Sequence, residues 1–260
     1  MVLNKEFNKE KNSGNKSIFD YSGKFSIKNI YPNSGGYIAA NRNLFANMIN
    51  TPTTKIILKE AVKGTPLIKL GSGDLKVIII AGIHGNELPS QNAAITLIDK
   101  LKDVKLNGTV YVIPFAAPEA TMYNSRNYRG KDINRTSMVK GFIGNVIIEK
   151  IQDLGVNAVG DFHSTAPNAN PGKEGVFCTL DPCPESFNIA SFISEDNNSS
   201  IINYNMAGIR FKGALEDECN LNGIPAVTCE VLSNNGTLSS ESTNRSLLQM
   251  FSFLKYFKII

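Results

Sequence analysis

The stretch that decides the fold is VIIIAGIHGNE, Val77 to Glu87. Val77, Ile78, Ile79 and Ile80 are β-branched in succession and leave no polar face, the pattern of a central parallel strand covered on both sides. Ala81 and Gly82 let the chain leave the sheet, and His84 and Glu87 follow at once. Open α/β sheets gather ligands at the carboxyl ends of their strands, so this junction is expected to carry chemistry.

Working outward, TPLIKL before a Gly-Ser-Gly-Asp turn reads as a second strand, and Leu88 to Leu101 has the apolar spacing of a helix packed back on the sheet. TVYVIPFA (109–116), VNAVGDF (156–162), GVFCTL (175–180) and AVTCEVL (226–232) read as further strands. Residues 142–153, 185–193, 216–221 and 242–257 read as helices, and NRNLFANMINTPTTKIILKEAVK holds one or two helices broken near Pro52. Alternating strands and helices imply an α/β fold with a mixed, largely parallel central sheet and helices on both faces, three layers deep. The polar run PEATMYNSRNYRGKDINRTSM is too long and too rich in specific side chains for a plain connector, and such loops are usually functional.

At 260 residues and 42% hydrophobic content the chain can bury one large core. Residues 26–260 are expected to form that single domain and the polar residues 1–25 a flexible tail. A net charge of +4, scattered along the chain, gives no patch for nucleic acid. The start, MVLNKEFNKEKNSGNKS, lacks the apolar segment of a signal peptide, and no apolar run approaches the ~20 residues of a membrane span. A cytoplasmic protein with no membrane partner is the expectation. Cys178, Cys183, Cys219 and Cys229 include no C-x-x-C pair and read as free thiols.

Only two histidines occur, His84 and His163, and both follow predicted central strands. With Glu87 they make two imidazoles and one carboxylate, which leave the fourth position of a tetrahedral zinc open, as in catalytic sites. Iron is the chemical rival for that set. Glu230, an acid inside the apolar run AVTCEVL, is placed to act as a base, because burial raises a carboxyl's pKa toward neutrality. Arg135 offers a planar fork for a carboxylate. Asp161 either orients His163 or makes a structural bond only. Ser164 and Thr165 have no third histidine to serve as their base, and no glycine pattern for nucleotide phosphates is present.

Four segments, HGNE at 84–87, DINR at 132–135, DFHST at 161–165 and GIPAVTCEV at 223–231, resemble in order the motifs of the zinc metallocarboxypeptidase superfamily. Within it the likeness is to short microbial members near the succinylglutamate desuccinylase/aspartoacylase branch, and it runs from about Lys69 to Leu232. The resemblance implies one zinc ion on His84, Glu87 and His163, with Glu230 as general base. It implies Asn134 and Arg135 on a substrate carboxylate, and Arg126 on the oxyanion with Arg129 as its rival. The family tyrosine that closes over substrate has no clear counterpart in this sequence; Tyr204 stands in no motif that would support it in that role. The implied activity is hydrolysis of an amide beside a free carboxylate, in a small peptide or an N-acyl amino acid. Enzymes of that branch usually add a C-terminal β domain, and only about 30 residues follow Glu230 here, which favours a more open cleft and a peptide-like or cell-wall-type substrate. A zinc-binding module without catalysis is the alternative of another class.

Overall fold

The computed structural model describes residues 20–21 and 25–260. The first elements are strands β1 (Asp20–Tyr21) and β2 (Phe25–Tyr31), helices α1 (Arg42–Asn47) and α2 (Pro52–Ala61), and strands β3 (Thr65–Gly71) and β4 (Lys76–Ala81). Helix α3 (Leu88–Leu101), strand β5 (Thr109–Ile113), helix α4 (Pro118–Met122), short strands β6 (Asn127–Tyr128) and β7 (Lys131–Asp132) and helix α5 (Ile143–Leu154) follow. The chain closes with strands β8 (Ala158–Thr165) and β9 (Gly175–Asp181), helix α6 (Glu185–Asn197), strand β10 (Ser200–Met206), helix α7 (Leu215–Leu221), strand β11 (Ala226–Leu232) and helix α8 (Ser240–Tyr256).

Nine strands form one sheet in the order β1-β2-β3-β5-β4-β8-β11-β9-β10. Its centre, β5-β4-β8-β11, is parallel, while β1, β2 and β3 extend one edge antiparallel and β9 joins β11 antiparallel. The strand alternation of period two splits VIIIA between two cores. Val77, Ile79 and Ala81 pack with α1, α2, α3, α6 and α8. Ile78 and Ile80 pack with α4, α5 and α7 on the other face. The expected mixed α/β sandwich is therefore what forms.

The segment expected to hold one or two helices broken near Pro52 holds two, α1 and α2, and Pro52 opens α2 as its first residue, after Thr51 caps the Thr54 amide. Two local differences have physical reasons. Strand β8 continues past Phe162 to Thr165 because β11 pairs with it as far as Leu232 opposite Thr165. Strand β10 is partly exposed at the sheet edge and gave no clear alternation to read. The tail expected at 1–25 falls almost wholly outside the described residues. The four cysteines are buried free thiols, and no described helix is long and apolar enough to cross a membrane.

The part of the chain before Gly64 does more than extend the sheet. Asn41 Nδ2 donates to Thr121 O at 2.9 Å and Asn43 Nδ2 to Gly236 O at 2.9 Å, so α1 and its N-cap brace helix α4 and the loop after β11. The chain runs from β4 through α3 to β5 on one side, and β8 lies on the other side of β4. That reversal opens a crevice at the carboxyl ends of β4 and β8.

Candidate metal centre and active site

His84 leaves the end of β4 in a turn that only a small residue permits. A Cβ on Gly85 would lie 2.2 Å from Ala120 C and 2.3 Å from Thr121 N, so this turn presses directly on the backbone of α4. Gln91, buried in α3, fastens it: its Nε2 donates to Gly85 O at 3.2 Å and Glu87 O at 3.0 Å, and its Oε1 accepts from Thr121 Oγ1 at 2.8 Å. Glu87 is the N-cap residue of α3. His163 lies on β8, two strands' neighbour to both motifs, with Glu230 of β11 directly opposite it in register.

Glu87 is the meeting point. Its Oε1 lies 2.8 Å from His84 Nδ1 and its Oε2 2.7 Å from His163 Nδ1, while Ser164 N donates to Oε2 at 3.2 Å. One donor atom from each of His84, Glu87 and His163 falls within 4.8 Å of the others, and all three residues are buried. Burial opposes ionisation of Glu87, but the two histidines outweigh it and hold the carboxyl well below its usual range. The far ring nitrogens also meet acids. His84 Nε2 is 2.9 Å from Asp132 Oδ1, and His163 Nε2 is 2.9 Å from Asp161 Oδ2, close though out of line for a hydrogen bond. Imidazoles whose second nitrogen faces a carboxylate are the arrangement that fixes metal-binding histidines. The donor set of two nitrogens and a carboxylate fits zinc.

Asp132 links this centre to the loop above it. Besides His84, its Oδ2 accepts from Arg126 Nε at 3.1 Å and its Oδ1 from Asn134 N at 2.9 Å. Burial opposes its ionisation, but the bond and charge of His84, with Arg126 and Arg135, hold it well below the usual carboxylate range. Arg126 reaches Glu87 Oε1 at 3.1 Å as well. Glu230 is partly buried, and its Oε2 is buried with no hydrogen-bond partner. Burial, reinforced by Glu87 and Asp161 against His163 and Arg126, pushes its carboxyl up to about 8.

One cavity is lined by His84, Glu87, His163, Glu230, Arg126, Asn134 and Arg135 together. Residues 74–138 match the succinylglutamate desuccinylase/aspartoacylase catalytic domain. Among solved structures, a succinylglutamate desuccinylase/aspartoacylase from Rhodobacter sphaeroides is similar with a TM-score of 0.61 at 16% identity, over 76% of this chain and 61% of that one. A metallo-carboxypeptidase from Burkholderia cenocepacia gives 0.55 at 16% identity, over 74% and 61%. The fold is that of metallocarboxypeptidases and aspartoacylases. An aspartoacylase family protein from Mesorhizobium loti extends the likeness to 92% of this chain and 71% of its own length, with a TM-score of 0.60 at 16% identity. These findings agree with the superfamily and branch read from the four motifs. The chain spans about three fifths of the length of the desuccinylase/aspartoacylase structure from Rhodobacter sphaeroides. Among curated proteins none matches the sequence.

Within this metallocarboxypeptidase-type fold, Arg129, expected at the site, stands elsewhere, and so does Tyr204. Arg129 does not line the cavity; its guanidinium donates to Asn33 O at 3.2 Å and lies 5.1 Å from the Tyr128 ring centroid. Tyr204 also lies outside the lining, stacked on Phe177 at 5.8 Å between ring centroids. Asp132, Gln91 and Glu216 belong to the site region without having been assigned a role from the sequence. Asp132 carries a signal in the sequence as the first residue of the DINR motif. Gln91 sat at a polar position of an amphipathic helix and Glu216 among three consecutive acids, which hid both.

Proposed function

We propose that the protein is a metal-dependent hydrolase, zinc being the ion its donor set fits, that cleaves an amide bond beside a free carboxylate. The observation that carries this reading is Glu230 Oε2, a buried carboxylate oxygen without a partner, in the same cavity as the His84, Glu87 and His163 cluster. A zinc ion held by those three residues would acidify water and polarise the scissile carbonyl. Glu230 takes the proton of the attacking water and delivers it to the leaving amine, work that suits a carboxyl whose pKa is raised to about 8. Arg126 stands beside Glu87 with about half its side chain exposed to the cavity side and solvent, where it can meet the oxyanion. Asn134 and Arg135 hold the substrate carboxylate, Arg135 through its fork.

The carboxypeptidase-type reaction on a small peptide is the first reading. Deacylation of an N-acyl amino acid is the second, favoured by the family match over residues 74–138. Both cleave an amide next to a carboxylate, so the same residues serve either. The test is hydrolysis of blocked dipeptides and N-acyl amino acids by metal-loaded protein. Glu230→Gln should lower kcat by about 10²- to 10⁴-fold while zinc remains bound in stoichiometric amount. Zinc binding by wild type with no hydrolysis of any such compound would leave a binding module instead.

A further inference from the structure

The cavity has two ends. At one, Asn134 and Arg135 are tied to the start of α7, since Leu215 N donates to Asn134 Oδ1 at 2.9 Å and Ser137 N to Gly213 O at 3.1 Å, and α7 packs in the core on that face of the sheet. The other end is lined by Ser164, Thr165, Ala166, Ala169, Asn170 and Asn235, which stand on β8 and on the loops after β8 and β11. These two loops are joined at Thr165, whose O accepts from Ser233 N at 3.0 Å and whose Oγ1 accepts from Gly172 N at 3.2 Å. The second loop then crosses toward α1. Gly236 N donates to Asn86 O at 2.7 Å, inside the turn from His84 to Glu87. Gly236 O accepts from Asn43 Nδ2 at 2.9 Å, on α1, whose Leu44 packs in the other core. The turn from His84 to Glu87 thus stands between the two ends. A substrate with its carboxylate on Asn134 and Arg135 and its scissile carbonyl at the His84, Glu87 and His163 cluster runs its acyl side onto the second end.

That end is polar but uncharged. Ser164 Oγ is buried without a hydrogen-bond partner. Asn170 and Asn235 are exposed, and among the described residues neither carboxamide is engaged by another side chain. Asn235 is nonetheless held on a built turn. Gly236 takes φ of +73°, which favours glycine, Thr237 Oγ1 donates to Asn234 O at 2.8 Å, and Ser233 Oγ donates to Thr237 O at 3.0 Å. A carboxamide offers a donor and an acceptor together, the complement of a peptide group. An anionic acyl group would call for a cation. Of the two arginines that line the cavity, Arg135 belongs to the other end, and Arg126 already meets Glu87 and Asp132. A long alkyl chain would call for an apolar wall, and this end supplies only Ala166 and Ala169.

Resting on the hydrolase reading above, we propose that this end is an amide-reading subsite, in which Asn235, with Asn170 and Ser164 Oγ, binds the peptide group next upstream of the scissile bond. The substrate is then a peptide with at least one amide on its acyl side, not an amino acid that carries a succinyl or alkyl acyl group. Asn43 is a positioning residue that acts through Gly236.

The test compares three compounds on zinc-loaded full-length protein: N-acetyl-alanyl-alanine, its analogue in which two methylenes replace the outer amide, and succinyl-alanine. The expected kcat/KM for the amide-bearing compound exceeds that for its methylene analogue by about tenfold or more, and succinyl-alanine gains nothing from its charge. Asn235→Ala should bring the ratio of the first two toward one. Asn43→Ala should lower the same ratio through KM rather than kcat, a split that a mere loss of stability would not produce. Equal kcat/KM for the first two compounds, succinyl-alanine as the best substrate, or a ratio indifferent to Asn235→Ala overturns the proposal. Calorimetry of the same compounds on zinc-loaded Glu230→Gln asks the question without turnover. Tighter binding of the amide-bearing compound supports the subsite even if wild type cleaves none of them, in which case only the hydrolase reading falls. Equal binding of the first two removes the subsite and leaves the hydrolase reading to its own assay, and binding of none of the three removes it as well.

Discussion

His84, Glu87, His163 and Glu230 stand at the carboxyl ends of three adjacent parallel strands, whereas Arg126, Asn134 and Arg135 stand on the connection between α4 and α5. The first group is held by the sheet: His84, Glu87 and His163 are at most 4% exposed. The second is held by a short 3-10 turn and a few side-chain bonds, and Arg126 keeps 45% of its side chain in solvent. The difference follows from the two tasks. Donors that must converge within a few ångströms need a frame that cannot slip, because a one-residue slip of a strand turns every side chain to the other face. Groups that grip a substrate must be reachable before it binds, so they stand on loops.

The strand-borne half should be the less forgiving. Glu87 offers one oxygen to each histidine, and Glu87→Gln removes the charge that draws both imidazoles and any cation together. Metal analysis should find the variant substoichiometric in zinc and assays should find hydrolysis lost. A fully loaded variant would move the metal site elsewhere and end the contrast between the halves.

Asp132 belongs to both halves, since it faces His84 Nε2, Arg126 Nε and the Asn134 amide. Asp132→Asn keeps the size of the side chain and removes the charge, and zinc affinity or kcat/KM should fall by roughly 10- to 100-fold. A chelator competition titration measures the first and steady-state kinetics the second. If only KM for substrate rises, Asp132 serves the loop alone and the link between the halves is broken.

A third measurement concerns stability in metal-free protein. Glu230 has a folded pKa raised from the ordinary 4.5 to about 8. The native state therefore binds a proton that the unfolded chain has released. The contribution is complete below about 4.5, declines as pH rises, and is lost once pH passes about 8. Urea unfolding in the presence of a chelator should show wild type losing more stability between pH 6 and pH 9 than Glu230→Gln does, as the linkage slope requires. Identical losses would mean that Glu230 titrates normally in the folded state.

The same contrast explains how much could be read in advance. The sheet was legible because VIIIAG and AVTCEVL are largely apolar runs with His84, Glu87 and Glu230 in or just after them, so burial and chemistry coincide in a few letters. The loop was legible only as motifs. DINR named Asn134 and Arg135, but the bond from Asp132 to His84 spans 48 residues and leaves no periodic trace. Glu216 illustrates the limit further, since one of three consecutive acids at 216–218 turns into the cavity and sequence does not say which. Strand β2, FSIKNIY, has mixed burial near the sheet edge, where α2 and α5 pack on it, and lacks the apolar run that marks the central strands.

The smallest expected effect separates two arginines that the sequence left as rivals. Arg126 and Arg129 are three apart on the same connection, and the two short strands between Asn127 and Asp132 turn them apart. Arg126 reaches Glu87 and Asp132, whereas Arg129 is spent on Asn33 O and the Tyr128 ring, outside the cavity. Arg129→Ala loses an exposed bond and some stacking, so its cost in stability should stay within about 0.5 kcal/mol, and its kcat/KM should stay within about twofold of wild type because nothing in the cavity changes. Arg126→Ala removes a donor beside the metal cluster and should lower kcat by about 10²-fold or more. Equal losses in the two variants would mean that the loop rearranges on binding to bring Arg129 inward, and the division between a rigid strand-borne half and an adaptable loop-borne half would then be sharper than the unliganded geometry shows.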